Sequence, residues 1–441
     1  MSPEGDTIAA IATATGVGGV GIVRVSGPQA IAIAEGVVGA SLDRSVRIGW
    51  AHDASGARID QVLAFAMRGP KSFTGEDVAE LHGHGGAHNL ASLLATVLAR
   101  GARIAEPGEF TRRAVLNGKL DLVRAEALLG VIHAGSERSL RLAQANLGGR
   151  LGEVAAELEG RVLKVLGEIE GRIDFPDDDL GAEEARVVDG ELRALAERTR
   201  ELAAGFRHGR AVQQGITVAL VGAVNAGKSS LLNALVGNER AIVAAEPGTT
   251  RDYLEAATVW NGVAVTLIDT AGLRPTADAI EARGIELGSR RVESADVVVV
   301  VNDGATAWDD GSRYRDRAVL VRSKADLGTG SGSGSGSDSI ATSAVTGAGL
   351  EVLKARVLEL AEIAAAEGAE DAFITTERQH STMVVARDAL AAAVAARSAH
   401  AVSEVVALEL RQAAGALAQV RGTEVGDRVL DEVFARFCIG K

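Results

Sequence analysis

Ile216-Thr217-Val218-Ala219-Leu220-Val221 runs into Gly222-Ala223-Val224-Asn225-Ala226-Gly227-Lys228-Ser229 and then into Ser230-Leu231-Leu232-Asn233-Ala234-Leu235. The first six residues, β-branched and aliphatic, read as a buried strand. The last six carry helical spacing, and the eight between spell G-x-x-x-x-G-K-S. Glycines let backbone N–H groups wrap a chain of phosphates, and the start of a helix favours negative charge. Lys228 reaches the β and γ oxygens, and the Ser229 hydroxyl can ligate Mg²⁺. A chance glycine-rich turn would require neither the strand before it nor the helix after it.

Around this loop, between residues 213 and 369, short β-branched runs recur at Val263 to Ile268, Val297 to Val301 and Val319 to Val321, separated by helical segments. That alternation predicts an α/β domain with a mostly parallel sheet covered by helices. Asp269-Thr270-Ala271-Gly272 ends one of the strands, so Asp269 can hold the magnesium shell and the Gly272 amide can sense a γ-phosphate. Gly248-Thr249-Thr250-Arg251-Asp252 lies between loop and strand, where a threonine hydroxyl could reach the metal. Ser323-Lys324-Ala325-Asp326 follows the Val319 to Val321 strand, and Ser343-Ala344 follows later. A carboxylate at Asp326 accepts from both N1–H and the exocyclic amine of guanine, which adenine cannot offer; the plain alternative is a polar turn. The ordered set resembles the five G motifs of translation-factor-type GTPases, with Ser323 where that pattern has Asn. Leu273 stands where Ras-like enzymes carry a water-orienting glutamine, so another group must place the water. Glu281, within Asp278-Ala279-Ile280-Glu281-Ala282-Arg283-Gly284-Ile285, is one candidate, against the alternative of a solvated helix glutamate.

The flanks are of two kinds. Residues 5 to 110 mix β-rich runs such as Thr7 to Thr13 and Val20 to Val25 with turn signals, which reads as an α+β unit. Leu147, Leu151, Val154, Leu158, Val162, Val165, Ile169 and Ile173 fall at steps of three or four and mark one face of a long helix, ended or kinked by Asp174-Phe175-Pro176. Asp177-Asp178-Asp179 reads as a solvated helix end rather than a metal site. Residues 377 to 437 return to alanine-rich helical spacing, so the α/β unit reads as inserted into a helical domain. The Gly-Ser run 328–337 reads as a surface loop without chemistry.

The 441 residues correspond to about three domains at roughly 150 residues each. Lys and Arg number 46 against 59 Asp and Glu, a net −13, which excludes a broadly basic nucleic-acid coat and leaves room only for a local positive groove. A single cysteine, Cys438, excludes an internal disulfide and fits a reducing cytosol. No apolar run approaches the roughly 18 residues of a spanning helix, and the expectation is a cytoplasmic protein with no membrane partner.

Further runs extend the pattern along nearly the whole chain: Asp6-Thr7-Ile8, Gly18-Gly19-Val20-Gly21-Ile22-Val23-Arg24, Ser72-Phe73-Thr74-Gly75-Glu76-Asp77, Pro107-Gly108-Glu109-Phe110-Thr111-Arg112-Arg113-Ala114, Leu116 to Leu122, and the terminal Phe437-Cys438-Ile439-Gly440-Lys441. With the G motifs, they make the chain similar to the bacterial tRNA modification GTPases called MnmE or TrmE. The resemblance implies an N-terminal domain over 1–118 that binds a tetrahydrofolate derivative (5-formyl- or 5,10-methylene-tetrahydrofolate) and dimerises. It further implies a helical domain in two parts, 119–212 and 370–441, and an inserted Ras-like G domain over 213–369. GTP would be held by Asn225 to Ser230, by Ala244-Ala245-Glu246-Pro247-Gly248-Thr249-Thr250, by Asp269 to Gly272, and by Ser323, Lys324, Asp326, Ser343 and Ala344. Ser229 and Thr250 match the family's Mg²⁺ ligands. Asn225 matches its potassium-ligating side chain, with Ala244, Glu246 and Thr249 in the loop around that ion. Potassium beside the phosphates would offset developing charge as an arginine finger does, which accounts for Leu273. Glu281 matches the water-positioning glutamate, and Lys228 and Arg251 complete the catalytic set by the same resemblance.

The folate pocket maps onto Arg24, Glu80, Lys119 and Lys441; a pterin offers a donor edge to Glu80 and its glutamyl tail suits basic groups. The implied partners are a second copy of the chain, tRNA, and the FAD-dependent protein MnmG (GidA), in a heterotetramer that places an aminomethyl or carboxymethylaminomethyl group at C5 of the wobble uridine. Cys438 reads in two ways: a thiolate attacking C6 of that uridine with Lys441 or Arg436 beside it, or a small apolar residue packing beside Phe437. A competing reading is a ribosome-assembly GTPase acting as a binding switch. Such proteins usually append an RNA-binding module after the G domain, whereas this chain returns to helix.

Overall fold

Period-two alternation of buried and exposed residues builds the first sheet of this chain. The computed structural model describes residues 5–14, 16–174, 182–237, 255–269, 290–303, 311–328, 339–363, 373–423 and 425–441. The chain divides into one unit of Met1–Leu129 with Arg421–Lys441, and a second of Gly130–Val420.

In the first unit, β1 (Ile8–Ile11), β2 (Gly18–Ser26), β3 (Arg47–His52), β4 (Arg58–Met67), β5 (Val78–Gly85) and β6 (Arg103–Ile104) form a sheet of order β3-β4-β5-β2-β1-β6. Every pairing is antiparallel except β1 with β6. Val23, Val25, Val62, Ala79 and Leu81 turn to one face, where α1 (Ala30–Val38) and α2 (Ala87–Leu98) cover them. The opposite face carries Arg24 directly across from Glu80. There, Ile8, Ala10, Ala105 and Phe110 make a second small core, with Phe110 supplied by α3 (Glu109–Leu116).

The chain's last residues close this unit. After α4 (Leu122–Ile132), the rest of the first unit is the C-terminal segment, whose Leu430, Phe434 and Phe437 pack on Leu122 and Ala125. Pro107 pairs with Ile439 in an antiparallel bridge. Gly440 has φ +97°, and a Cβ there would sit 2.3 Å from the Ile11 carbonyl oxygen, so only glycine lets the tail lie against β1.

The second unit begins with helices α5 (Glu137–Leu147), α6 (Arg150–Asp174), α7 (Ala182–Ala204) and α8 (Phe206–Gln214). Ser136 caps α5 by accepting from the Ser139 amide. Leu151, Leu158, Val162, Val165 and Ile169 bury one stripe of α6 as their spacing requires, and α6 extends to Asp174; Phe175, Pro176 and the acidic run Asp177-Asp178-Asp179 lie outside the described residues.

The second sheet contains β7 (Ile216–Val221), β8 (Glu255–Trp260), β9 (Val263–Asp269), β10 (Val297–Asn302), β11 (Ala318–Arg322) and β12 (Ile340–Ala341), in the order β12-β11-β10-β7-β9-β8. All neighbours are parallel except β8 and β9, a hairpin turned by Asn261 (φ +47°) and Gly262 (φ +77°). One face packs on α8, on α9 (Lys228–Val236) and on α10 (Leu350–Leu360). Val292, Ala295 and Tyr314 contribute to the core on the other face. Two further helices, α11 (Glu377–Ser398) and α12 (Ser403–Arg421), return to the helical part, where Arg397 pairs with Asp189 of α7 at 2.7 Å. The expected α/β fold with a mostly parallel sheet is present, beside an α+β sheet domain and a helical domain.

Candidate functional site

Strand order fixes where a ligand can sit. β7 lies between β9 and β10, whose crossovers run to opposite sides, and a crevice opens beyond the carboxyl ends of such strands. At that edge β7 leads into residues 222–229, β9 ends on Asp269, β10 ends on Asn302, β11 leads to Ser323, and β12 leads to Ser343. The sheet thus gathers five stretches that are far apart in sequence.

The loop has the backbone that phosphate wrapping requires. Gly222 has φ +144°, and a Cβ there would meet the Val301 carbonyl oxygen at 2.2 Å. Asn225 is left-handed at φ +64°, which asparagine tolerates. Lys228 is buried and its Nζ donates to the carbonyls of Gly222 and Ala223, both at 2.8 Å. Burial pulls the ammonium pKa below its ordinary value, and Asp269 opposes that shift. An ammonium short of solvent and held only by carbonyl dipoles is well suited to phosphate oxygens.

Ser229 Oγ donates to Asp269 Oδ2 at 2.6 Å. Hydroxyl and carboxylate oxygens together are the hard donors that Mg²⁺ takes, so this pair would hold the ion and its charge would neutralise phosphate oxygens. Thr250, the other expected Mg²⁺ ligand, lies outside the described residues, as do Ala244, Ala245, Glu246, Pro247, Gly248, Thr249, Arg251, Thr270, Ala271, Gly272 and Glu281.

The base-reading stretch is built by mutual tethers. Ser323 Oγ, buried, donates to the Ala226 carbonyl at 2.6 Å and lies 3.3 Å from the Asn302 carbonyl. Lys324, left-handed at φ +56°, donates from Nζ to the Asn225 carbonyl at 2.8 Å and faces Asp303 at 3.6 Å. Two consecutive side chains therefore pin the phosphate loop from the end of β11, two strands along the sheet from β7. Asp326 is exposed and its Oδ1 accepts from Ser343 Oγ at 2.6 Å, which fixes one oxygen and leaves the other to a base edge. Ser343 Oγ accepts in turn from the Val345 and Thr346 amides, so the turn that carries it, with Ala344, is rigid.

The first unit brings Arg24 and Glu80 together. Arg24 Nε donates to Glu80 Oε1 at 2.9 Å, while His82 Nε2 meets Oε2 at 2.8 Å. Burial would raise the Glu80 carboxyl; the His82 and Arg24 contacts overcome it and hold the pKa below the usual range. The Arg24 guanidinium also lies 5.5 Å from the Phe73 ring centre and 5.8 Å from that of Phe110. Sequence reading missed His82, Phe73 and Phe110, although the i, i+2 spacing of Glu80 and His82 on one strand already put them on one face. Lys119 is exposed and donates to the Pro70 carbonyl at 2.9 Å; Lys441 is half-buried in the tail that packs on β1. Cys438 is exposed while Phe437 is buried against Phe434. Of the two readings of Cys438, the exposed thiol does not fit the one in which it packs as a small apolar residue; Phe437 makes the apolar contact in this tail, and Ile439 beside Cys438 is exposed as well.

Comparison with known proteins agrees with this geometry. The family described as "GTP-binding protein TrmE N-terminus" matches residues 7–119, and "MnmE helical domain" matches residues 122–438. The tRNA modification GTPase MnmE of Geobacter metallireducens is 39% identical over 453 residues, covering 99% of each chain. That of Parasynechococcus marenigrum is 43% identical over 451 residues, again covering 99% of each. Among solved structures, the G domain of the T. maritima FeoB iron transporter covers 33% of this chain and 98% of its own at 29% identity, with TM-score 0.23. With 99% of the chain matched at 39–43% identity, the chain belongs to the MnmE family of tRNA modification GTPases.

Proposed function

We propose that this chain hydrolyses GTP to drive modification of the wobble uridine of certain tRNAs, installing an aminomethyl or carboxymethylaminomethyl group at C5 with a one-carbon unit from a reduced folate. The observation that carries the reading is the full-length family match combined with a phosphate loop whose Lys228, Ser229 and Asp269 are already in register. Mg²⁺ would sit at Ser229 with Thr250, and potassium at Asn225 with Ala244, Glu246 and Thr249. Glu281 would orient water, with Arg251 in the first switch. In this reading residues 1–118 bind folate through Arg24, Glu80, Lys119 and Lys441 and pair two copies of the chain, 119–212 and 370–441 form the helical domain, and 213–369 the G domain. An FAD-dependent partner of the MnmG type would complete a heterotetramer in the cytoplasm. Support for the folate part comes from the Arg24–Glu80 pair: a carboxylate kept ionised beside a guanidinium that itself faces two aromatic rings suits the donor edge of a pterin. An exposed Cys438 is compatible with attack on uridine C6. Among the described residues no helix is long and apolar enough to cross a membrane.

The deciding experiment compares wobble uridines in tRNA from cells with and without this chain. Loss of the C5 substituent without it is expected. Unchanged modification would return the chain to the class of GTPases that act as assembly switches.

A further inference from the structure

The loop between β4 and β5 has two neighbourhoods. Its Phe73 ring lies 5.5 Å from the Arg24 guanidinium that pairs with Glu80. Two residues earlier the same loop gathers cations. The Arg44 guanidinium donates to the Lys71 carbonyl, and the Lys119 ammonium donates to the Pro70 carbonyl at 2.9 Å. Successive Cα atoms are about 3.8 Å apart, so two positive heads are anchored one residue from each other. Lys71 itself and Arg68, whose carbonyl accepts from the Lys71 amide at 3.0 Å, add two more. All four residues are exposed, and none pairs with a carboxylate among the described residues, although acids outnumber bases 59 to 46 in this chain. The nearby acids are engaged elsewhere: Glu76 accepts from Ser26 and Arg113, Asp77 from the Gly69 amide, Asp43 from the Ser45 amide, and Asp121 from the Arg124 amide. Like charges held together without a counter-charge repel, and an anion relieves them.

We propose that Arg44, Arg68, Lys71 and Lys119 bind the γ-linked oligoglutamate tail of a reduced folate whose pterin lies at Arg24 and Glu80, an inference that rests on the folate reading above. Each γ-linked glutamate added to the tail brings one more carboxylate, so its charge grows in steps that a row of cations can meet. The carbonyl tethers fix the two heads but leave most of the five N–H donors of Arg44, and two of the three of Lys119, for carboxylate oxygens. Continuity comes from the loop, since Phe73 at the Arg24 end is two residues from Lys71, and from Lys119, which the folate reading already places in the pocket. A long polyanion such as RNA is held by a positive track that neutralises many phosphates. Four cations confined to one loop of a chain with net charge −13 fit a short polyanion instead.

The test titrates the full chain calorimetrically, at low ionic strength, with 5-formyl-tetrahydrofolate carrying either one or three γ-linked glutamates. Exposed pairs are weak singly, so it is their sum that should make the triglutamate bind about tenfold more tightly, a difference of about 1.4 kcal/mol that shrinks in concentrated salt. Arg44→Gln combined with Lys71→Gln keeps an N–H donor for the loop carbonyl and removes two charges; it should bring the triglutamate down to the affinity of the monoglutamate. Arg44→Lys combined with Lys71→Arg keeps both charges and should keep the preference, which a purely structural role of these side chains would not produce. Equal binding of the two folates by wild type, or an undiminished preference in the glutamine variant, would overturn the tail subsite and leave the pterin site standing. Binding of neither folate by wild type would overturn the folate reading and the subsite together. An anticodon stem-loop that loses affinity in the glutamine variant, while both folates bind it as they bind wild type, would assign the cations to RNA and likewise overturn the proposal.

Discussion

The hydroxyl of Ser323 donates its one proton to the carbonyl of Ala226, 2.6 Å away in the phosphate loop. A serine can make that tether or donate to a purine nitrogen, but not both. An asparagine amide has two protons, so Ser323→Asn should keep the tether and add a donor for N7 of guanine. The expected gain is about 1 kcal/mol, near fivefold in GTP affinity. Competition with 7-deaza-GTP reads the contact directly: wild type should discriminate little between the two nucleotides, the variant clearly. Equal GTP affinity before and after the substitution would refute the idea.

Ser229 and Asp269 share a hydrogen bond at the edge of the same loop where Mg²⁺ would sit. Asp269→Asn keeps an acceptor for that hydroxyl and removes the charge. GTP turnover should drop about a hundredfold and the Mg²⁺ needed for half-maximal rate should rise. A magnesium titration that matches wild type would remove Asp269 from the metal shell.

Asn225 occupies a left-handed backbone position, and its carbonyl is held by Lys324. An alanine there would mix backbone strain with loss of the side chain, so Asn225→Gly is the cleaner variant. Hydrolysis by wild type should be much faster in potassium than in sodium, and the glycine variant should lose that difference while still binding GDP. Equal wild-type rates in the two salts would end the potassium reading.

Glu80 is held from both sides, by Arg24 and by His82. Glu80→Gln retains size and one acceptor oxygen but loses the charge that a pterin donor edge would meet, so affinity for 5-formyl-tetrahydrofolate should weaken about tenfold or more. GTP hydrolysis by the isolated chain should be unaffected. Calorimetric titration that gives wild-type affinity would displace Glu80 from the folate site.

Four strands of the G-domain sheet, β7, β9, β10 and β11, were legible as short β-branched runs, and the phosphate loop because its chemistry demands contiguous residues; β8 and the two-residue β12 were not, since neither is such a run. Ser323, Asp326 and Ser343 were legible as motif positions, but not the Ser323 tether to Ala226, which joins residues 97 apart in sequence. His82 escaped because it lies in no motif, and Phe73 because the run that contains it says nothing of what its ring faces; the fold sets His82 on Glu80 and Phe73 on Arg24. The packing of Leu430, Phe434 and Phe437 on Leu122 and Ala125 also depends on tertiary contact, since helical periodicity shows which face is apolar and not what covers it.

The last prediction concerns acid. Arg113 donates to Asp6, Glu76 and Glu109, and Arg103 to Asp6 and Glu109, in a network that ties β1, α3 and β6 together. Burial would raise the Glu109 carboxyl, but Arg103, the Glu106 amide and Arg113 together hold it below its ordinary 4.5. A carboxyl with a depressed folded-state pKa binds its proton more readily once unfolded. Its stabilisation is complete above about 4.5 and is lost as pH falls through the lower folded value. Glu109→Gln should therefore cost about 2 kcal/mol at neutral pH and progressively less in acid, where the wild-type carboxyl is itself protonated. Hydrogen exchange at Ile8 to Ile11, read from neutral pH downward and corrected for intrinsic rates, follows this unit apart from the G domain. A gap between wild type and variant that stays constant into acid would show that Glu109 contributes shape rather than charge.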